Sequence, residues 1–447
     1  MKRISILAIW LTISMVIFTN TGCQKDVPQV NTSNIATLDH DLATEWYKLA
    51  LSLVDRTNGY AEPIAARAMS YLGYTLYESS VSGMKDYKTQ QTLLDGFQLT
   101  LPQADANKEY YYTLVANEAM NVIVRHLFGA SGSESYAKIE ALRSSFEKKY
   151  SAGIASVVRE DSKKLGKSIG EAIALYSDSD QQSHAYLENY PSNYIPPINA
   201  GSWVPTPPDY SDKLLLPKWG NVRGVIYSNA LLQPIKPLEF SGSNSSTMYA
   251  EANECFAMST NLTEDQKLKI DFWDKTQTPV AAPVCRSLML TIQLIEEKNL
   301  NYGDAVEVLT KMSWALHDSY ILAWKVKYET YRLRPATYIR TYISRFYVPP
   351  TNASATPDFV SENGLVYKAA SVILSNYFDR KNNFVDRTQL ERSSLLQKVR
   401  SYSDFESWAN EGAYTDILTS VHFRTSIDAG YDLGYKVGQS ILAIKLK

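Results

Sequence analysis

Cysteine and histidine are scarce: the 447-residue chain holds 3 Cys and 5 His. A multi-cysteine zinc site and a disulfide scaffold are thereby excluded. Glycine is low at 20 residues, and the chain is 45% hydrophobic and 21% charged, which excludes collagen, coiled coil and disorder. There is no basic excess, since 45 Lys and Arg against 47 Asp and Glu give a formal net charge of −2. A general nucleic-acid binder needs clustered cations to release counterions, so that class is excluded as well. Beyond the N-terminus no run approaches the ~18 apolar residues of a membrane span. Phosphate-binding glycine loops, Gly-x-Ser-x-Gly elbows and His-Glu-x-x-His are absent. Tyrosine, by contrast, is abundant at 31 residues. Most of these are expected at the edge of a core, with hydroxyls reaching water.

The N-terminus reads as a targeting segment. Lys2 and Arg3 precede an apolar run from Ile4 to Phe18, too short for a span. It ends in Asn20-Thr21-Gly22-Cys23, which resembles a bacterial lipobox. The resemblance implies a signal peptide over 1–22, lipidation of Cys23, membrane lipid as a partner, and a cell-envelope location, periplasmic or on the outer surface. The competing reading is an ordinary cleaved signal with an incidental Cys23. Residues 23–38 are polar and read as a tether, leaving 39–447 as a single domain. Whether Cys255 and Cys285 pair is left open by the sequence.

Apolar residues at i, i+3 and i+4 predict helices over 42–54, 63–81, 107–128, 133–150 and 154–176. Further helices are expected over 248–259, from Thr263 to about 275, and over 282–298, 304–331, 364–378, 394–401, 405–421 and 426–444. Alternating patterns are nearly absent, so the fold class is all-α, a multi-helix bundle without a fixed repeat. Residues 178–244 break the pattern with nine prolines among Tyr, Trp, Asn and Gly, Pro191, Pro196, Pro197, Pro205, Pro207, Pro208 and Pro217 among them. Such a long irregular stretch is expected to be functional or lid-like.

One stretch points to chemistry: Lys327 and Arg334 are seven residues apart, and Pro335 follows at once. On a helix that spacing returns to nearly the same face, about 10 Å along the axis. Two cations there can converge on a tetrahedral oxyanion, although such pairs are usually a solvated face. Lys-x6-Arg-Pro, with Asp318 and Trp324 before it and Ile339 and Arg340 after it, resembles the first motif of the vanadium haloperoxidase and type 2 phosphatidic acid phosphatase superfamily. Pro63-Ile64-Ala65-Ala66-Arg67-Ala68 and the segment from Gly412 through His422 to Gly430 are similar to its haloperoxidase-like branch. The resemblance runs over roughly residues 40–445. It implies a helical bundle around a phosphate or vanadate pocket built from three motifs, with vanadate as the cofactor and halide oxidation or phosphomonoester hydrolysis as the activity.

This chain departs from the motifs. Ser361 matches the second, but Glu362 stands at its glycine and Asn363 at its acid histidine. In the third, His422 is kept, Asp416 replaces the arginine, and Ser426 replaces the aspartate that would orient the ring. Asn363 exchanges no proton near neutral pH, so the acid role is lost. The tautomer of His422 is expected to be less fixed. Lys327 and Arg334 are expected to face Glu362 and Asp416 in a self-neutralised cluster with little or no activity and no cofactor. The alternatives are a metal set of Glu362, Asp416 and His422, against which the two cations argue, and residual oxyanion chemistry. A different class of reading is a surface lipoprotein that captures a glycan or another small ligand through the Tyr- and Trp-rich loop.

Overall fold

The computed structural model describes residues 34–91, 93–275, 281–379 and 383–447. Its contacts separate Met1–Asn31 from a body spanning Thr32–Lys447. The signal and lipidation readings at residues 1–22 and Cys23 lie outside the described residues. Within the body the packed chain begins earlier than residue 39. A turn at Ile35–Thr37 buries Ile35, and Tyr302 N donates to Leu38 O at 2.8 Å.

Thirteen α-helices lie among the described residues. They are α1 (Asp41–Val54), α2 (Glu62–Ser80), α3 (Tyr112–Leu127), α4 (Ser133–Ser151), α5 (Ser156–Asp178), α6 (Thr247–Thr260) and α7 (Glu264–Trp273). Then come α8 (Pro283–Lys298), α9 (Tyr302–Thr330), α10 (Pro335–Tyr342), α11 (Glu362–Tyr377), α12 (Phe405–Leu418) and α13 (Arg424–Ala443). A single antiparallel pair, β1 (Phe384–Asp386) with β2 (Arg400–Tyr402), accompanies them. No helix among the described residues is long and apolar enough to cross a membrane.

The all-α expectation holds, with two local corrections. Residues 394–401 form turns leading into β2. And α10, which no helical pattern announced, starts where Pro335 is tolerated in a first turn.

Helix α9 is the axis of the body. It is buried along nearly its whole length and packs on α2, α8, α11 and α13. Asn301 caps its start by accepting from Asp304 N, and Tyr331 ends it in the left-handed region at φ 52°. Helix α11 lies closely against α13. A Cβ on Gly430 would stand 2.4 Å from Ser361 O, and one on Gly434 would stand 2.3 Å from Leu365 O. Only glycine permits that approach, and it fixes the N-terminus of α11 against α13, where Ser361 N donates to Ser426 O at 2.9 Å.

No α-helix forms between α5 and α6, as the proline pattern requires. The excursion is strapped along α9. The Asp318 carboxylate accepts from Val225 N (2.7 Å), Ile226 N (3.1 Å) and Asn229 Nδ2 (2.7 Å). His317 Nε2 lies 3.0 Å from Arg223 O, so His317 and Asp318 hold this segment rather than each other. Tyr328 and Trp324 donate to Leu215 O at 2.6 and 3.2 Å. The loop tryptophans Trp203 and Trp219 are buried. Cys255 and Cys285 are both buried free thiols.

Candidate functional site

Four segments converge beside α9. Lys327 comes from its last turn, and Arg334 is the N-cap of α10. The seven-residue spacing therefore spans a helix break, and the two cations meet because the chain turns at Tyr331, not because they share a helix face. Ser361 caps α11, accepting from Gly364 N at 3.1 Å, and places Glu362 and Asn363 in the first turn. Asp416 projects from α12, and His422 sits in the turn between α12 and α13.

Glu362 is the centre of the cluster. Its Oε2 lies 2.9 Å from Lys327 Nζ and 3.1 Å from His422 Nε2, and its Oε1 lies 3.1 Å from Lys275 Nζ. The α11 N-terminus favours the same negative charge. Burial opposes ionisation, but Lys327, Lys275 and His422 outweigh it and hold the Glu362 carboxyl well below the usual carboxylate range. Burial also pushes the Lys327 ammonium down to about 8, with Glu362 opposing the shift and Arg334 adding to it.

The other donors of the two motif cations are committed mainly to backbone carbonyls, with Thr356 Oγ1 and the His422 ring as side-chain partners of Arg334. Lys327 Nζ donates to Pro357 O at 2.9 Å and to Asp358 O at 3.0 Å. Arg334 donates to Thr356 O, Thr356 Oγ1 and Val421 O at 2.8–2.9 Å, and its Nη1 lies 3.4 Å from His422 Nε2.

His422 is firmly oriented, contrary to the expectation drawn from Ser426. Asp358 supplies the carboxylate, with Oδ1 2.9 Å from His422 Nδ1. Phe423 N donates to that same oxygen at 3.3 Å, and the Ser426 hydroxyl donates to Oδ2. A carboxylate oxygen stands on each side of the ring, Asp358 at Nδ1 and Glu362 at Nε2.

Asp416 does not pair with Lys327 or Arg334. Both its oxygens accept from Asn363 Nδ2, at 3.0 and 3.1 Å, and Ser361 Oγ lies 3.4 Å from Oδ2. Burial pushes its carboxyl above the usual range. The metal alternative is also corrected, because Glu362 is engaged by the ammonium groups of Lys327 and Lys275 and both Asp416 oxygens are taken by Asn363. Among the described residues no group of three His, Cys, Asp or Glu could hold a metal ion.

The sequence reading thus brought Lys327, Arg334, Ser361, Glu362, Asn363, Asp416, His422 and Ser426 to one place. It missed Asp358, although that residue stands just upstream of Ser361, and it missed Thr356. It also missed Lys275, which follows α7 and gives no signal in the sequence. A cleft of about 130 Å³ opens outside Glu362, lined by Glu62, Trp273, Lys275, Asn363 and Asp416 among others. No residue of the 178–244 segment lines it, so the lid expectation fails for this cleft.

The arrangement of helices around this cage is that of the vanadium haloperoxidases, and the chain has a haloperoxidase-like fold. A bacterial vanadium-dependent iodoperoxidase superposes with a TM-score of 0.79 at 23% identity, covering 91% of this chain and 96% of that one. A holo-type bacterial vanadium-dependent chloroperoxidase gives 0.60 at 13% identity over 85% and 91%. The apo-type chloroperoxidase gives 0.65 at 12% identity over 86% and 93%. No family model matches the sequence, and no curated protein matches it.

Proposed function

We propose that this chain is a haloperoxidase-fold protein of the cell envelope whose oxyanion seat is filled by its own Glu362 carboxylate. In this reading it neither oxidises halides nor hydrolyses phosphomonoesters at an appreciable rate. The observation that carries it is the sharing of Glu362 Oε2 between Lys327 at 2.9 Å and His422 at 3.1 Å. Those are the cation and the imidazole that the family resemblance assigns to the oxyanion.

Vanadate does not fit the residues as they stand. The Lys327 ammonium has its three N–H groups directed at two carbonyls and Glu362. Ser361 caps Gly364, and the position of the acid histidine is Asn363. An incoming oxyanion would have to displace a buried carboxylate, and an unpaired charge left in the interior costs several kcal/mol. No reaction step is therefore derived through vanadate. Purified protein given vanadate, peroxide and bromide should halogenate a phenolic acceptor no faster than buffer, and phosphomonoesters should survive. Turnover that disappears with His422→Ala would overturn the reading.

The envelope location is part of the same proposal and rests on the lipobox-like Asn20-Thr21-Gly22-Cys23. Cys23→Ala should move the protein from the membrane fraction to the soluble fraction. An unchanged distribution would reject anchoring at Cys23. Glycan capture by the 178–244 loop is the weaker reading, because Trp203 and Trp219 are buried in packing.

A further inference from the structure

Helices α11 and α13 run side by side, close enough that a Cβ on Gly438 would stand 2.7 Å from Val372 Cβ. A groove of about 480 Å³ follows their seam, well above the volume of the cleft outside Glu362 and within the usual range of small-molecule sites. From Tyr435 to Ala443 it follows α13 for about 12 Å. The Tyr435 ring is 50% exposed at one end, and Lys368 Nζ lies 5.7 Å from its centre and 4.7 Å from that of Tyr431, which steadies both rings. Val372 and Leu442 give the groove apolar lining, and Ser375, Asn376 and Gln439 give it uncharged polar lining. Those three side chains have no hydrogen-bond partner among the described residues, so they can exchange water for a ligand's donors and acceptors. The charges at the groove are balanced by the protein itself. Glu406 pairs with Lys368 and accepts from the Tyr431 hydroxyl at 2.9 Å. Lys445 follows the C-terminal end of α13 and lines the groove with Asn376 of the last turn of α11, where free carbonyls favour a cation.

We propose that this groove binds a neutral oligosaccharide, with one sugar ring laid on Tyr435 and the hydroxyls of the next paired with Gln439, Asn376 and Ser375. A pyranose presents a face of C–H groups, which packs on the electron-rich face of an aromatic ring, and a rim of hydroxyls that both donate and accept. Amide side chains answer that rim with a donor and an acceptor each. An apolar ligand would strand the two amides without partners. An anion would meet the carbonyl ends of two helices and the Glu406 carboxylate. No residue of the 178–244 segment lines the groove, so it is a different place from the loop considered above for glycan capture. The proposal does not depend on whether Glu362 fills the oxyanion seat.

The test is calorimetric titration of the full chain with cellobiose, maltose and lactose, and with digalacturonate as the charged comparator. The native protein should bind at least one of the three neutral sugars saturably at one site, and digalacturonate more weakly. Tyr435→Ala, at an exposed position, should weaken the sugar at least roughly tenfold, and Gln439→Ala roughly fivefold. Tyr227→Ala removes another exposed ring, within the 178–244 segment, and should leave binding unchanged. Absence of saturable binding of all three neutral sugars, equal binding by Tyr435→Ala, loss of binding in Tyr227→Ala, or a preference for digalacturonate would each overturn the proposal. A parallel phosphate titration reads the inner seat separately: phosphate binding would contradict the Glu362 reading and leave the sugar result standing.

Discussion

The Glu362 carboxylate lies 3.1 Å from Nε2 of His422, so the ring that the family resemblance assigns to an oxyanion faces an anion supplied by the chain itself. Asp358 holds the opposite side of that ring at 2.9 Å, and Lys327 meets the same Glu362 oxygen at 2.9 Å. Lys327, Arg334 and His422 thus converge on one place, and a carboxylate of the chain lies between Lys327 and His422. That carboxylate is covalently part of α11.

The Glu362 pairing predicts a defined pH dependence. A carboxyl held below its unfolded value contributes stability above that value, and loses it as pH falls through the folded pKa. The unfolded value is about 4.3. Glu362→Gln should cost about 3 kcal/mol at pH 7, as expected for breaking a buried ion pair. The difference between native and variant should then shrink as pH falls below about 4. Urea unfolding of both proteins from pH 7 to pH 3 measures it. A gap that stays constant would mean that Glu362 is not held ionised by its neighbours.

Asp358 is predicted to be a structural anchor of the cage. It accepts from Phe423 N and Ser426 Oγ and faces His422 Nδ1. Asp358→Asn keeps the shape but removes the charge facing a buried imidazole, so a loss of about 2–4 kcal/mol is expected. Thermal or urea unfolding checks this, and a change below about 0.5 kcal/mol, the range of ordinary surface substitutions, would reject the role.

Asp318 is predicted to fasten the 179–246 excursion to α9. Asp318→Ala leaves Val225 N, Ile226 N and Asn229 Nδ2 without their acceptor, at about 1–3 kcal/mol for each donor left buried and unpaired. Local release should precede global unfolding. Limited proteolysis should therefore cut the variant within 179–246 while sparing the native protein. Identical cleavage patterns would show that other contacts suffice.

The cap at Ser361 predicts a smaller effect. Its hydroxyl accepts from Gly364 N at 3.1 Å. Ser361→Ala should lower stability by about 1 kcal/mol. A loss well above that in urea unfolding would show that the contact to Asp416 carries more weight than the cap.

Much of this was legible in the sequence because helices declare themselves through periodicity and because the motif residues lie at fixed offsets. Lys327, Arg334, Ser361 and His422 were found that way. The geometry of the pair was not, since a helix-face argument assumes an unbroken helix and Tyr331 breaks it at φ 52°. Asp358 and Lys275 were missed for a related reason: each lies outside a helix and acts through tertiary proximity, which spacing along the chain does not encode. The proline-rich excursion was correctly seen as irregular. Its burial against α9 depends on Asp318 and Trp324, whose side-chain directions the sequence does not give. Residues 394–401 contain turns and a short strand, where tertiary pairing with Phe384–Asp386 overrides local propensity.

The central claim is that Glu362 fills an otherwise competent oxyanion seat, and phosphate binding by Glu362→Gly measures it most directly. Removing the carboxylate leaves Lys327, Arg334 and the His422–Asp358 pair in place and opens the volume it held. One unit-charge pair at about 4 Å with an effective dielectric near 20 is worth about 4 kcal/mol, and screening and partial solvation reduce that gain. Calorimetric titration should therefore show phosphate bound at least roughly 100-fold more tightly by Glu362→Gly than by the native protein, and the gain should be lost when Lys327→Met is added. A folded Glu362→Gly variant that binds phosphate no better than the native chain would contradict the account.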